Sequence, residues 1–362
     1  MDSTILRIID ANLNRAKEGL RVVEEYARLM LEDAALCEQV KGMRHQLAAV
    51  SKALGLSALL EARDIRNDVG TQINTETERS RADPADVAKA SAKRVTEALR
   101  CIEEYCKIID KEQSARVEQL RYQTYALEQA VFIGGSRRKK LRRSRLHVLI
   151  TESLCRGPWL SICEQTLRGG ADVIQLREKS LNDNELLSRA KRLRELTRKF
   201  DVLFIINDRA DIARLAGADG VHLGQSDLSV SDARRIAGPH LLVGKSTHSI
   251  SEAEAALAER ADYIGVGPMF ASRTKPEVTV QGPELLRKVV AMAGPQMMDV
   301  PIVAIGGLTV ENVSSIMQIP NRSNAVQVAI CQRVINNDNP TDATAALKET
   351  LTIDANVVQR QS

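Results

Sequence analysis

Aromatic side chains are scarce in this chain of 362 residues: one Trp, four Phe and five Tyr amount to 3% of it. Its cores must therefore be built from aliphatic side chains. The six cysteines, Cys37, Cys101, Cys106, Cys155, Cys163 and Cys331, form no CxxC pair and show no metal-ligand spacing. That excludes a zinc cluster and reads as reduced thiols of a cytoplasmic protein. No apolar run approaches the roughly 20 residues needed to span a bilayer. The opening "MDSTILRIIDANLNRAKEG" lacks the apolar stretch of a signal peptide. A soluble, cytoplasmic protein with no membrane partner is expected. The net charge of +4 is too small to imply nucleic acid. No G-x-G-x-x-G follows a strand candidate, and no Ser-His-Asp or Cys-His set is apparent, which argues against a dinucleotide and against acyl-transfer chemistry.

At this length two domains are the default expectation. Residues 1–133 carry apolar residues at three and four spacing, as in Leu13, Ala16, Leu20, Val23, Ala27 and Met30, the mark of an amphipathic helix. One segment recurs: "RAKEGLRVVEEYAR" (15–28) matches "RVTEALRCIEEYCK" (94–107), and "GMRHQL" (42–47) later corresponds to "QLRYQT" (119–124). A helical hairpin used twice accounts for this, giving an all-α four-helix bundle with pseudo-twofold symmetry. The repeated Glu-Glu-Tyr reads as helix-surface salt links with a packed Tyr. A di-metal site would need Glu-x-x-His partners, and His45 is the only histidine in this half. In "LLEARDIRNDVGTQI" (59–73), Arg63, Asp64, Arg66 and Asp68 either tie the hairpins together or bind something; the structural reading is favoured. "GGSRRKKLRRSR" (134–145) follows. Its glycines end the last helix, and seven of the nine residues 137–145 are basic. Without interleaved aromatics, 134–144 reads as a solvated interdomain linker that could steer an anionic substrate.

From 145 to 362 short β-branched runs alternate with helix-like segments. The strand candidates are 145–151, 172–178, 203–208, 220–224, 241–246, 263–268, 301–307 and 325–330. Eight consecutive βα units predict a closed (β/α)8 TIM barrel, with its site at the carboxyl ends of the strands. Those ends are polar. The second strand gives Gln175, Arg177 and Lys179 on one face by alternation. Others give Asn207 and Asp208, then Gln225 and Asp227, Ser246 and His248, "FASRTK", and Gly306-Gly307.

Asp208 and Asp227 follow neighbouring strands, and two hard oxygen ligands without histidine or thiolate suit Mg²⁺. Arg177, Lys179 and Lys275 offer cations to a diphosphate. Gly306-Gly307 before the helix start "TVEN" resembles a backbone-amide phosphate cradle. The reaction class is departure of a diphosphate assisted by metal and cations. Structural alternatives stay open: Asp227 as a helix N-cap, Arg177 and Lys179 in an ion network with Asp208, and His248 as a hydrogen-bonding support for Ser246.

The motifs "QLREK", "IINDRADIA", "VHLGQSD", "GKSTHS", "GPMFASRTK" and "AIGGL", in this order and spacing, resemble the thiamine-phosphate synthase family over residues 145–352. The resemblance implies condensation of 4-amino-2-methyl-5-(diphosphooxymethyl)pyrimidine with a thiazole phosphate carboxylate, releasing pyrophosphate and carbon dioxide. It implies that Gln175, Arg177, Lys179 and Asn207 hold the pyrimidine diphosphate, with Leu176 and Glu178 in the same motif. Asp208 and Asp227 would bind Mg²⁺; Ser246 and Lys275 would contact the diphosphate. Arg177, Lys179, Ser246 and Lys275 would be the catalytic set. Ser272 and Thr274 would hold the thiazole carboxylate, with Arg273 among the substrate-binding residues between them, and Gly306, Gly307, Cys331 and Gln332 would line the site of its phosphate. Two departures stand out. Ala271-Ser272 replaces the family's Pro-Thr, keeping a hydroxyl, and Cys331-Gln332 replaces a Val-Ser pair. The helical half is absent from short family members. The partners expected are small molecules, with self-association into a homo-oligomer left open. Two other readings are a thiazole tautomerase, in which His248 shuttles protons, and a non-catalytic binding protein for thiamine precursors. Retention of Arg177, Lys179, Asp208, Asp227 and Lys275 together favours the synthase.

Overall fold

The structure, a computed structural model, describes residues 2–64, 80–238, 240–271, 279–292, 300–319 and 326–359, with side chains through Thr352. It divides into two compact units, Met1–Ser136 and Arg137–Ser362.

The first unit is helical: α1 (Ser3–Glu25), α2 (Ala34–Ala53), the short α3 (Leu56–Glu61), α4 (Pro84–Ile109) and α5 (Lys111–Gln129). An aspartate caps each of the four long helices. Asp2 accepts from Thr4 N, Asp33 from Leu36 N, Asp83 from Asp86 N, and Asp110 from both Glu112 N and Gln113 N. Such caps satisfy amides that a helix start leaves without partners. The α1–α2 and α4–α5 hairpins bury Leu13, Leu20, Met43, Leu47, Leu99, Ile102 and Leu120 in one core. Gly19 allows α1 to approach α4 closely, since a Cβ there would lie 2.9 Å from Ser91 O.

The sequence repeat is a structural repeat, down to one ion pair per hairpin. Glu24 pairs with Arg44, and Glu103 pairs with Arg121 at 2.7 Å. These carboxylates are buried, at 7% and 2% side-chain exposure. The expected surface links belong instead to Glu25 and Glu104, which pair with Arg21, Arg28, Arg100 and Lys107. Met30 leaves the apolar stripe, because a wider turn over Tyr26–Met30 rotates it to 39% exposure. Arg63 binds Asp10 through two nitrogens, and Arg7 pairs with Asp64, so these residues fasten the connection to α1 rather than joining the hairpins. Arg66 and Asp68 lie outside the described residues. Gly134 and Gly135 do not end a helix. They sit in a wide turn after α5, where a Cβ on Gly135 would strike Leu31 at 2.4 Å.

The second unit is the expected parallel barrel, closed in the order β1 to β8. Its strands are β1 (Leu146–Ile150), β2 (Val173–Leu176), β3 (Leu203–Asn207), β4 (Gly220–Leu223), β5 (Leu242–Thr247), β6 (Tyr263–Val266), β7 (Ile302–Ile305) and β8 (Val326–Ile330). The helices are α6 (Ser136–Arg143), α7 (Trp159–Arg168), α8 (Asp183–Lys199), α9 (Ala210–Leu215), α10 (Val230–Ala237), α11 (Ile250–Ala258), α12 (Gly282–Met292), α13 (Val310–Met317), α14 (Gln332–Ile335) and α15 (Pro340–Gln359). Alternation sorts the side chains. Val148, Ile174, Phe204, Ile206, Val221 and Val266 face the helices, while Leu149, Val173, Ile205, Leu242, Tyr263 and Ala329 fill the interior.

The segment read as a linker is α6, and it closes the amino-terminal end of the barrel. Leu141 is 1% exposed and packs with the interior residues. Its cations meet carboxylates that precede the strands: Arg137 with Asp219 at 2.9 Å, Arg138 with Asp262, and Lys140 with Asp201. Asp219 and Asp262, each preceded by Ala, also accept from the amides of Phe204 and Val243. Asp172, likewise after an Ala, accepts from Leu146 N. Three cations of the basic run, Arg137, Arg138 and Lys140, are thus paired on this floor, at the opposite end from the strand tips.

Candidate active site

At the carboxyl ends of the strands lies a cavity of about 540 Å³ whose wall includes Gln175, Arg177, Asn207, His222, Ser246, His248, Gly306, Gly307, Cys331 and Gln332. Asp208 follows β3 with φ +64°, a left-handed conformation that few side chains adopt. Its amide donates to His222 O at 2.8 Å, which fixes the carboxylate at the rim. Asp227, in the turn after β4, accepts from Gly224 N at 2.6 Å. The two carboxylates are near enough for each to affect the other's proton, and Lys179 Nζ lies 2.9 Å from Asp208 Oδ2.

Burial raises the Asp208 carboxyl above its ordinary range, the contact with Asp227 adds to this, and Lys179 opposes it. For Asp227 burial also acts upward. The Gly224 amide, Asp208, Lys179 and Lys245 together outweigh it and hold that carboxyl low. One member of the pair thus favours its proton and the other its charge, the pattern of two carboxylates sharing one site. Asp227 is not a helix cap; Ser229 caps α10, accepting from Asp232 N.

Ser246, on β5, lies 2.8 Å from His222 Nε2, and His222 Nδ1 lies 3.1 Å from the Tyr263 hydroxyl. The residue supporting Ser246 is therefore His222 and not His248. His248 lies 3.1 Å from Glu252 through Nδ1, beside the start of α11. His222 escaped the sequence reading because it sits inside a strand. Its signal was alternation: Val221 and Leu223 face the helices, so His222 faces the interior. Lys245 is a second omission. It is buried, and its Nζ donates to Leu228 O at 3.2 Å, close to Asp227.

After β7, Gly306 and Gly307 have φ +103° and +63°, and a Cβ on Gly307 would fall 2.5 Å from Ala271 O. Only glycine fits both the conformation and the space. The turn leads into α13, where Thr309 and Asn312 form a capping box and Asn312 Nδ2 donates to Gly307 O at 3.0 Å. Amides at this helix start stand beside the cavity, ready for an anion. Cys331 follows β8; burial raises its thiol to about 12, so it stays protonated.

Two residues of the expected set stand apart. Leu176 faces the helices in the outer core. Glu178 is held away by Arg189 at 2.8 Å and by Glu152 N. Alternation on β2 gives the reason, since Gln175 and Arg177 take the inner face. Ser272, Arg273, Thr274 and Lys275 lie outside the described residues. Among the described residues no three His, Cys, Asp or Glu side chains gather as a metal cluster, and no helix is long and apolar enough to cross a membrane.

Residues 146–334 match the family model described as thiamine monophosphate synthase, and residues 7–130 match that of the ThiD2 family. The chain is 42% identical to a thiamine-phosphate synthase of Synechocystis over 95% of its own length and 96% of the relative's. It is equally identical to one from Rhodopirellula baltica, covering 87% and 85% of the two chains. A solved thiamine phosphate pyrophosphorylase from Pyrococcus furiosus superimposes with a TM-score of 0.53 at 32% identity, covering 59% of this chain and 98% of that one. A barrel with its polar basin at the strand tips, relatives aligned along nearly the whole chain, and a solved neighbour over the barrel lead to one assignment: the chain belongs to the thiamine-phosphate synthase family, transferases of thiamine biosynthesis.

Proposed function

We propose that the basin joins 4-amino-2-methyl-5-(diphosphooxymethyl)pyrimidine to a thiazole phosphate, either free or as its carboxylate, and releases pyrophosphate, together with carbon dioxide when the carboxylate is used. The observation that carries this reading is the meeting of Asp208 and Asp227 beside Lys179. Two carboxylates without imidazole or thiolate suit Mg²⁺, whose other ligands come from water and phosphate. When bound, the ion would neutralise charge growing on the departing diphosphate.

Arg177, Lys179 and Ser246 supply donors around that diphosphate, and the resemblance adds Lys275. Gln175 and Asn207 hold the pyrimidine. The Gly306–Gly307 turn and the first amides of α13 take the thiazole phosphate, with Cys331 and Gln332 closing that end. Ser272 and Thr274 are assigned to the thiazole carboxylate by resemblance alone, and Arg273 to substrate binding in general. The C–O bonding pair leaves with the diphosphate, and the thiazole nitrogen then supplies the pair for the new C–N bond. This step needs preorganised positive charge more than a strong base. The binding of His248 to Glu252 weighs against a proton-shuttling tautomerase.

The test is a reaction of full-length protein with both precursors, with and without Mg²⁺. Thiamine phosphate and pyrophosphate should appear together and only with the ion. No condensation by the native chain would refute the reaction. Undiminished turnover by Asp208→Asn would refute the metal site alone.

A further inference from the structure

Ser246 stands at the end of a buried polar chain. The chain runs from Ser246 through His222 to the Tyr263 hydroxyl. Tyr263 is 2% exposed, its ring is stacked 5.4 Å from that of His222, and it presses on Gly244, where a Cβ would overlap the ring at 2.1 Å. Tyr263 therefore cannot turn away. The His222 nitrogens then face the Tyr263 hydroxyl at 3.1 Å and Ser246 Oγ at 2.8 Å.

The donors available set the direction of each bond. The Tyr263 hydroxyl has one proton to give, and His222 Nδ1, 3.1 Å away, is placed to accept it. Deep burial raises the Tyr263 hydroxyl far above its ordinary value, so that proton stays on the oxygen. A neutral imidazole that accepts at Nδ1 carries its proton on Nε2. Nε2–H donates to Ser246 Oγ, and the serine hydroxyl hydrogen is left for the cavity. With the opposite tautomer, Ser246 would give its hydrogen to His222 and turn lone pairs toward an incoming anion.

We propose that His222 is a positioning residue that fixes Ser246 as a hydrogen-bond donor to the departing diphosphate, with Tyr263 holding the imidazole in its Nε2–H tautomer. The identity of the anion depends on the function proposed above; the tautomer does not. A donor aimed in advance needs no reorganisation when charge develops on the leaving oxygen.

The test uses full-length protein with ring-¹⁵N-labelled histidine at pH 8, the His222 signals being identified by their loss in His222→Gln. The expected spectrum has Nε2 protonated and Nδ1 bare, with the Nδ1–H form appearing in Tyr263→Phe. An Nδ1–H imidazole in the native protein would overturn the proposal. In kinetics, His222→Leu should lower kcat about tenfold, and His222→Gln, which can restore an N–H near the Nε2 position, should recover most of it. In a Ser246→Ala background, His222→Leu should change kcat by less than about twofold, because the residue acts through Ser246. Losses that multiply independently would sink the positioning role. A native chain that makes no thiamine phosphate would remove the diphosphate, while the spectrum would still decide the tautomer.

Discussion

Lys179 Nζ rests 2.9 Å from Asp208 Oδ2, so a cation suited to a diphosphate leans on a carboxylate suited to a metal. Without ligands the site balances its own charge, and substrate binding must part this pair.

That geometry makes Asp208→Asn informative. Asn tolerates the left-handed backbone at φ +64°, whereas Ala would add strain. The Asn variant should melt within about 2 °C of the native protein yet lose at least about a hundredfold in kcat/KM with Mg²⁺. Steady-state kinetics beside a thermal melt separate the two effects.

Gly307→Ala tests the phosphate turn. The new Cβ would lie 2.5 Å from Ala271 O and 2.7 Å from Phe270 Cβ, at φ +63°. The turn must shift, and KM for the thiazole phosphate should rise about tenfold with a smaller change in kcat. A kcat loss with unchanged KM would place the turn elsewhere in the reaction.

His147, inside the barrel against Gln327, has its value lowered by burial from 6.5 to about 4, with the Gln327 contact partly opposing this. The unfolded chain takes up this proton near pH 6.5, but the folded chain does so only near 4. Stability is therefore complete above about pH 6.5 and falls as pH drops through that window, by roughly 3 kcal/mol at its end. Urea titrations at pH 7 and pH 5 should show a flatter pH dependence in His147→Gln. An unchanged slope would remove His147 as its source.

Leu141→Ala should destabilise the barrel by roughly 3 kcal/mol, because it empties the floor where α6 packs. A surface linker residue would cost almost nothing, so denaturant unfolding of the full chain decides between them.

In the bundle, Arg121→Met alone leaves Glu103 buried without its inter-helix partner and should cost roughly 3 kcal/mol. Glu103→Leu with Arg121→Met should recover much of that. Equal losses in the single and double variants would show that packing, not charge, is at stake.

The eight strands and their tips were legible because parallel barrel strands are short apolar runs that end in polar residues where the site lies. Asp208, Asp227, Arg177 and Gly307 could be found from that rule. The floor could not: Arg137, Arg138 and Lys140 look like a solvated run, and their partners Asp219, Asp262 and Asp201 lie 61 to 124 residues downstream. His222 stayed hidden within an apolar strand, while His248, more visible in a polar loop, meets Glu252 instead of Ser246. The buried Glu103 looked like its exposed neighbour Glu104, because adjacency in sequence does not say which carboxylate faces inward.

Gln327 binds both His147 and the Leu141 carbonyl, and His222 meets Tyr263 higher in the same interior. An all-aliphatic lumen would tolerate a strand sliding by two residues, since one branched side chain replaces another. Here the same slide would orphan amides and imidazoles in a dry space at a cost of several kcal/mol. These groups therefore act as a ratchet on strand alignment, keeping the strand tips at the heights the catalytic mouth requires.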